Sequence, residues 1–250
     1  MTTQDYKFEV CANSVQSALA AQEAGADRVE LCQGIPEGGT TPSFGDISTA
    51  RKLLNKTKLH VIIRPRSGDF LYNDLEKKIM IEDIRLCKKI GVDGVVFGGL
   101  LSDGSIDIEF MKALKHESQG MSTTFHRAFD VCKDPILALK QITQLNFDRI
   151  LTSGQEASAD EGIPLLKRLE SLNNGNIILL AGCGVNENNI KKIAEETGIH
   201  EFHFSARESF PSKMTYKNDR VSMGGTVRIN EFANDITTSD RVRKIIRALH

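Results

Sequence analysis

The chain has 250 residues, of which 40% are hydrophobic and 26% charged, and its formal net charge is −1. This is the composition of an ordinary globular protein, without a signature of disorder. The near-neutral charge excludes a general attraction to nucleic acid, so we expect no nucleic-acid partner. The sequence has no apolar run long enough for a transmembrane helix, and its beginning lacks the pattern of a signal peptide. We therefore expect a cytoplasmic protein with no membrane partner.

Apolar stretches alternate with helical patterns along the whole chain. The predicted strands cover residues 7–11, 28–32, 59–66, 94–100, 122–129, 149–154, 177–184 and 201–207. The predicted helices cover residues 14–25, 44–54, 74–91, 106–118, 134–145, 162–172, 187–198 and 240–249. Strand starts lie about 21 to 35 residues apart, which is the size of a βα unit.

This alternation of strands and helices predicts an α/β fold, a (β/α)8 TIM barrel, as a single domain over residues 1–250. A doubly wound open sheet is the main alternative, but it usually has fewer units and a glycine-rich first turn. The first turn here, CANSVQS, contains no glycine. An extended segment, residues 208–239, separates the last strand from the last helix. Because it leaves the barrel face where active sites lie, we interpret it as a lid or an oligomer contact, with a surface excursion as the alternative.

Several predicted strands carry polar residues on the face that should point into the barrel. Residues two apart on a strand share a face, and the apolar set of each strand belongs against the helices. The inward polar residues are then Glu9 and Cys11, Glu30 and Cys32, Arg64 and Arg66, and His203, Ser205 and Arg207. An unpaired charge is costly to bury, so opposite charges must meet there. Either these residues form a salt-bridge network that holds the fold, or they form a site.

Cys11 and Cys32 follow Glu9 and Glu30 on two neighbouring strands. Adjacent strands lie about 4.8 Å apart, so the two sulfurs can approach to about 4 Å. Soft thiolates favour Cu(I), and two can suffice for it. A zinc site usually has four ligands, and the sequence has no close cluster of Cys or His residues to complete one. The alternative is that two small residues simply fill the barrel mouth. The odd number of cysteines and the absence of CxxC predict free thiols.

The motif AGCGVNENN, after the seventh predicted strand, suggests an anion site. Gly182 and Gly184 let backbone N–H groups approach a ligand, and the next helix starts near Asn186 with a favourable dipole. Barrels often bind phosphate with the loops after strands seven and eight, so Ser205 and Arg207 would supply the other half. Alternatively, the glycines only make a tight turn.

Acid–base chemistry is the third possibility at the mouth. Glu30, with Glu9 below it, is a candidate base and His126, in TFHRAFD, a candidate acid. Arg64 or Arg66 can anchor a carboxylate or phosphate. This set suits an isomerase- or aldolase-type reaction, whereas a structural hydrogen-bonded His126 is the alternative. No lysine stands at an obvious inward position, which disfavours Schiff-base chemistry.

Long motifs in this chain closely resemble the CutC family. They are EVCANSVQSALAAQEAGADRVELCQGIPEGGTTPS, IIRPRSGDFLYND, DGVVFGGL, TFHRAFD, RILTSG and FHFSAR. The resemblance implies a TIM barrel, a cytoplasmic location, a homo-oligomer (a dimer or tetramer) and a role in copper homeostasis. It also implies a Cu(I) site at the cysteines of EVC and ELC, which are Cys11 and Cys32 here. Three hypotheses follow: a copper-binding protein, an enzyme for a small anionic and phosphorylated metabolite, or a structural protein.

Overall fold

The computed structural model describes residues 6–173, 175–218, 220–221 and 230–249. The barrel strands are β1 (Lys7–Ala12), β2 (Arg28–Leu31), β3 (Lys58–Ile62), β4 (Gly94–Phe97), β5 (Ser122–Phe125), β6 (Arg149–Thr152), β7 (Ile178–Gly182) and β8 (Glu201–Phe204). The helices are α1 (Val15–Glu23), α2 (Phe44–Leu53), α3 (Asp74–Ile90), α4 (Ile108–Glu117), α5 (Pro135–Gln144), α6 (Ile163–Asn173), α7 (Ile190–Thr197) and α8 (Ser239–Arg247). None of these helices combines the length and apolar character that crossing a bilayer requires.

The eight strands form one closed parallel barrel in chain order, and β8 pairs with β1 to close it. The predicted TIM barrel is thus confirmed. The register aligns Cys11 with Glu30 rather than with Cys32, so Cys32 lies one step closer to the mouth than its neighbour. This stagger follows from the tilt of the strands in a closed barrel. Cys11 therefore lies beside Glu30, and Cys32 lies just above both.

The apolar set of each strand packs outward against the helices, as the alternation predicts. Val10, Val29 and Phe202 are fully buried and belong to one apolar cluster with helical residues such as Ala18 and Met80. Burying an aliphatic side chain of this size contributes about 1.5–3 kcal/mol, so this shell provides the main stabilisation of the fold. On β1, β2 and β8 the polar set is left for the barrel interior.

Every barrel strand after β1 ends earlier than the sequence predicts, and the difference is largest for β3 and β5. Strand β3 stops at Ile62 because Pro65 has no N–H and the N–H of Arg64 donates to Oγ1 of Thr41 at 2.9 Å. Strand β5 stops at Phe125, where a 3-10 turn (Arg127–Val131) begins. Arg64 and His126 therefore stand on loops at the carboxyl ends of their strands, at the barrel mouth.

The segment 208–239 contains structure that the sequence analysis missed. Strand β9 (Arg207–Pro211) pairs antiparallel with strand β10 (Ala233–Thr237). The hairpin is tied to the barrel rim by the Thr237 hydroxyl, which donates to the backbone oxygen of Ser205 at 2.8 Å. Part of the segment, 219 and 222–229, lies outside the described residues, so a lid or oligomer contact stays a prediction.

Candidate functional site

The floor of the barrel interior is a closed network of charges. Glu9 accepts a hydrogen bond from Nε of Arg28 at 2.8 Å, and Arg28 also pairs with Glu201. Glu201 in turn accepts from Nε of Arg149 at 3.0 Å, and Arg149 donates to the Ser122 hydroxyl at 2.7 Å. Every guanidinium here faces a carboxylate, so the burial cost of each charge is offset by its partner.

Glu9 is fully buried at the centre of this network. Burial alone would raise its pKa, but the charge of Arg28 and the hydrogen bond from His203 bring the pKa well below the ordinary value. Glu9 thus stays ionised and does not line the cavity above it. The neighbouring His60 is neutral, because burial lowers its pKa to about 4. The structure therefore places Glu9, which the sequence suggests as a catalytic residue, in the structural floor.

His203 connects the floor to the mouth. Its Nδ1 lies 2.9 Å from Oε1 of Glu9, and its Nε2 lies 3.6 Å from Oε2 of Glu30. Burial disfavours the charged ring, but hydrogen bonds to Cys11 and Glu9 raise its pKa well above the ordinary value. The imidazole is thereby held in one orientation between the two carboxyl groups.

The two thiols lie together above His203. Sγ of Cys11 and Sγ of Cys32 are 3.3 Å apart, somewhat closer than the sequence analysis expects. The hydrogen bond from Cys32, helped by His203, lowers the pKa of Cys11, and the same hydrogen bond raises the pKa of Cys32. The pair therefore shares one proton more readily than it gives up two. All five cysteines of the chain are free.

Glu30 completes a group of three potential metal ligands with the thiols. Ligand atoms of Cys11, Glu30 and Cys32 all lie within 4.8 Å of one another. Burial raises the pKa of Glu30 to about 8, with the charge of His203 acting in the opposite direction. The sequence suggests Glu30 as a base and does not group it with the thiols. The register Cys11↔Glu30 is what brings them together.

A cavity of about 410 Å³ opens above these residues at the carboxyl ends of the strands. Its apolar wall includes Ile62, Phe70, Leu151 and Phe204. A concave, mostly apolar space with a few convergent polar groups is typical of small-molecule sites, whose volumes are roughly 300–1,000 Å³. The cavity is far larger than a single metal ion requires.

Arg64 and Arg66, the candidate anion anchors, have different surroundings. The Nη atoms of Arg64 donate to the backbone oxygens of Glu37, Gly39 and Gly68 at 3.0, 2.8 and 2.7 Å. Arg64 is buried and lines the cavity, and its Nε has no hydrogen-bond partner among the residues that the structure describes. Arg66 pairs with Glu76 and Asp69 and does not line the cavity. The structure thus brings only Arg64 to the site.

His126 lines the cavity and is buried. Its Nδ1 accepts a hydrogen bond from the N–H of Ala128 at 3.2 Å, which leaves the ring proton on Nε2. Burial and the nearby charge of Arg64 lower its pKa to about 3, so the ring is neutral at physiological pH. Nε2 has no partner within the described residues. His126 is therefore arranged as a hydrogen-bond donor.

The predicted anion residues after β7 and β8 are partly assembled at the cavity. Gly184, Ser205 and Arg207 all line it. Gly184 has φ +73°, and its carbonyl accepts from the amides of Asn186 and Asn189 at 2.8 and 2.9 Å, which fixes the turn. Gly182 does not line the cavity.

Gly182 provides space instead. A Cβ at this position would lie 2.5 Å from Leu151 and 3.2 Å from His203. The glycine therefore allows the His203 ring to sit between Glu9 and Glu30.

The structure brings to the site several residues that the sequence does not point to. They are Arg28, His60, Arg149 and Glu201 in the floor, and Arg241 of α8 in the cavity wall. Arg28 and Glu201 stand two residues before Glu30 and His203, so the alternation of side chains along a strand already indicates that they point into the barrel. No local pattern could have found Arg241, because the hairpin that positions α8 was not predicted.

A family model, that of the CutC family, matches residues 6–208. A CutC family protein of Bacteroides thetaiotaomicron is 63% identical over 244 residues, which cover 98% of each chain. The human copper homeostasis protein cutC homolog is 44% identical over 240 residues, or 96% of this chain and 88% of the human one.

A comparison with solved structures also points to the CutC family. The crystal structure of a putative copper homeostasis protein CutC from Streptococcus agalactiae matches with a TM-score of 0.77 and 37% identity, covering 80% of this chain and 98% of that one. A phosphoribosyl anthranilate isomerase of Thermotoga maritima, 12% identical with a TM-score of 0.57 over 98% of each chain, shares the barrel fold alone. The chain belongs to the CutC family.

Proposed function

We propose that this protein binds Cu(I) through Cys11 and Cys32 at the barrel mouth, in a role in copper homeostasis. The observation that carries the proposal is the 3.3 Å separation of the two sulfur atoms beside the Glu30 carboxyl group. Soft sulfur ligands favour Cu(I) over hard divalent cations. The names of the human and Streptococcus agalactiae relatives support the same role.

The ionisation of the thiols suits a metal ligand. Metal ions bind the thiolate, so a site with a lowered thiol pKa loses less free energy to proton release. The pKa of Cys11 is lowered by the hydrogen bond from Cys32 and by His203. His203 is itself fixed by Glu9, which is the kind of outer partner that orients ligands in metal sites.

The proposal is tested by anaerobic competition for Cu(I) against a chromogenic chelator. The C11S/C32S double variant should lose tight Cu(I) binding, because two hydroxyl groups replace the soft donors. Cys183→Ser is the matched control: it removes a thiol that lines the same cavity but donates to the Ala157 backbone oxygen at 3.1 Å. Equal Cu(I) affinity for the double variant and the wild type would contradict the proposal.

Glu30 makes a second comparison possible. A carboxylate is a hard ligand, so two thiolates and one carboxylate with an open position also suit Zn²⁺. We expect Glu30→Gln to leave Cu(I) affinity within about threefold and to weaken Zn²⁺ binding by about tenfold or more. If wild-type protein preferred Zn²⁺ over Cu(I) in competition, the copper assignment would be wrong.

A second candidate function is an enzyme that acts on a small anionic, phosphorylated metabolite; the size of the cavity favours it. Glu30 would exchange a proton, and the neutral His126 would donate a hydrogen bond from Nε2. Arg64, Gly184, Ser205 and Arg207 would surround the anion. Glu9, Arg66 and Gly182 do not line the cavity, so they are not included in this set.

The enzyme candidate is tested by following a panel of small phosphate esters by NMR in the presence of metal-free protein. We expect Glu30→Gln to slow any turnover by about 100-fold or more, as is usual when a general acid–base group is removed. Turnover that this variant leaves unchanged, or no turnover of any ester, would count against the enzyme.

We further propose a cytoplasmic homo-oligomer, a dimer or tetramer. Five free thiols suit a reducing compartment. Exposed apolar side chains on one side of α3, Leu75 at 67% and Ile79 at 42%, are available for a subunit contact. Analytical ultracentrifugation that finds only a monomer at micromolar concentration would contradict the oligomer.

A further inference from the structure

The cavity carries unpaired positive charge although the chain as a whole has a net charge of −1. Arg64, Arg127, Arg207 and Arg241 line it, whereas Glu30 is the one carboxylate among the described lining residues. Arg127 pairs with Asp130 at 2.7 Å. Among residues 6–173, 175–218, 220–221 and 230–249, no carboxylate lies within salt-bridge distance of the other three arginines.

Arg64 has no carboxylate partner in the described part of the chain, and its guanidinium lies 5.1 Å from the ring centre of Phe70. Arg64 is only 5% exposed, and its Nη atoms donate to neutral backbone oxygens. These contacts satisfy hydrogen bonds but bring no negative charge, and Nε is left without an acceptor. A buried guanidinium without a carboxylate partner is unfavourable, so an anion bound elsewhere in the same cavity would also stabilise Arg64.

His126 presents an unsatisfied donor to the same space. The residue is 3% exposed, and Nδ1 already accepts from the N–H of Ala128. The Nε2–H group is therefore a buried donor without an acceptor in the described chain. Such groups are rare in folded proteins, and an oxygen atom of a ligand would satisfy this one.

Arg207 and Arg241 mark another corner of the cavity. Nη1 of Arg241 donates to the backbone oxygen of Arg207 at 2.6 Å, which holds α8 against the start of β9. The Gly184 turn lines the same cavity. The carboxylate of Glu187, which pairs with Lys244 at 3.0 Å, lies within the electrostatic range of Arg241 but outside salt-bridge distance.

We propose that the cavity binds a small organic molecule with an oxyanion, either phosphate or carboxylate, at the Arg207–Arg241 corner and an oxygen acceptor at Nε2 of His126. Its carbon skeleton contacts the wall formed by Ile62 and Phe204. The proposal rests on the second candidate function for its chemistry and names the ligand class. It does not depend on copper, because the groups that hold the anion are distinct from the thiols.

Isothermal titration calorimetry on the metal-free, full-length protein tests this ligand class. The probes are inorganic phosphate, glycerol 3-phosphate and succinate. We expect glycerol 3-phosphate or succinate to bind, and the one that binds identifies phosphate or carboxylate as the oxyanion. Arg207→Met and Arg241→Met should each weaken binding about tenfold or more, since each removes a charge-assisted hydrogen bond.

The matched control is Arg243→Met, on the same helix but paired with Glu23 and Asp240 at the surface. It should bind like the wild type. His126→Asn keeps a side-chain oxygen for the Ala128 N–H but removes the Nε2 donor, so it should weaken the organic probe and leave inorganic phosphate unchanged. Arg207 lies on the mostly exposed strand β9, so we expect Arg207→Met to fold. This variant keeps the test valid if Arg241→Met fails to fold.

Three results would overturn the proposal. They are no binding of either organic probe at concentrations on the order of 10 mM, unchanged binding in both arginine variants, and binding of inorganic phosphate alone. Cu(I) titration of the same preparation reports on the thiols, so failure of the anion probes leaves the copper proposal standing. Binding without turnover overturns the enzyme candidate and supports the ligand site.

Discussion

The floor and the mouth of the barrel interior are built from the same residue types but differ in how their charges are matched. In the floor, Arg28 and Arg149 share the carboxylates of Glu9 and Glu201. In the mouth, Arg207 and Arg241 have no carboxylate partner in the described chain, and the Nε2 of His126 has no acceptor. The difference separates a structural use of buried charge from a functional one, because the floor pairs its arginines with carboxylates, whereas the mouth leaves arginines without one in the described chain, beside a cavity that a ligand can enter.

His203 marks the boundary between the two regions. It is bonded to Glu9 below and lies beside Glu30 and Cys11 above. The two glutamates therefore stand one level apart with opposite pKa shifts, since the pKa of Glu9 is lowered and burial raises that of Glu30 to about 8. The comparison predicts that the same substitution has very different effects at these two positions.

The largest expected effect is that of Glu9→Gln on stability. Removing this carboxylate leaves the Arg28 guanidinium buried with half of its partners, so we expect a loss of about 3–5 kcal/mol in the free energy of unfolding at pH 7. Urea denaturation followed by circular dichroism measures it.

Glu30→Gln is the matched control, on the next strand and one level higher. Its carboxyl group is largely protonated at pH 7, so an isosteric amide should change stability by less than about 1 kcal/mol. Equal losses for the two variants would show that floor and mouth are one structural network.

The sequence predicts the strands and the direction of their side chains, but it does not predict which residues of neighbouring strands meet. Alternating patterns correctly predict the eight barrel strands, the helices between them and the inward direction of Glu9, Cys11, Glu30 and Cys32. They do not predict pairing, because register depends on the tilt of the whole barrel: Cys11 faces Glu30, not Cys32. Arg241 was missed because its position depends on a hairpin between residues far apart in the chain.

An intermediate effect is expected from the pH dependence of stability at His126. An imidazole in the unfolded chain titrates near 6.5, whereas burial and the charge of Arg64 lower the folded pKa to about 3. Between these values the unfolded state binds more protons, so the stability from the neutral ring is complete above pH 6.5 and is lost as the pH falls. At pH 5 the loss should be about 2 kcal/mol.

The matched variant is His126→Asn, which keeps an acceptor for Ala128 and does not titrate. The wild type should lose about 2 kcal/mol more than this variant between pH 7 and pH 5, measured by urea denaturation at each pH. If the wild type and His126→Asn lost the same stability between pH 7 and pH 5, His126 would be accessible to solvent and would protonate freely. Its Nε2 would then not be an unsatisfied donor at the mouth.

The smallest effect is expected at Arg66, which the sequence places beside Arg64 as an anion anchor. Its guanidinium lies 2.5 Å from Glu76 and 3.0 Å from Asp69, away from the cavity lining. Exposed ion pairs of this kind contribute little to stability. Arg66→Gln should therefore bind glycerol 3-phosphate and succinate with wild-type affinity in calorimetry, in contrast to Arg207→Met. If it instead lost binding as Arg207→Met does, Arg66 would have to turn inward when the ligand binds, and the unpaired charge of the mouth would include an arginine that the free protein holds at its surface.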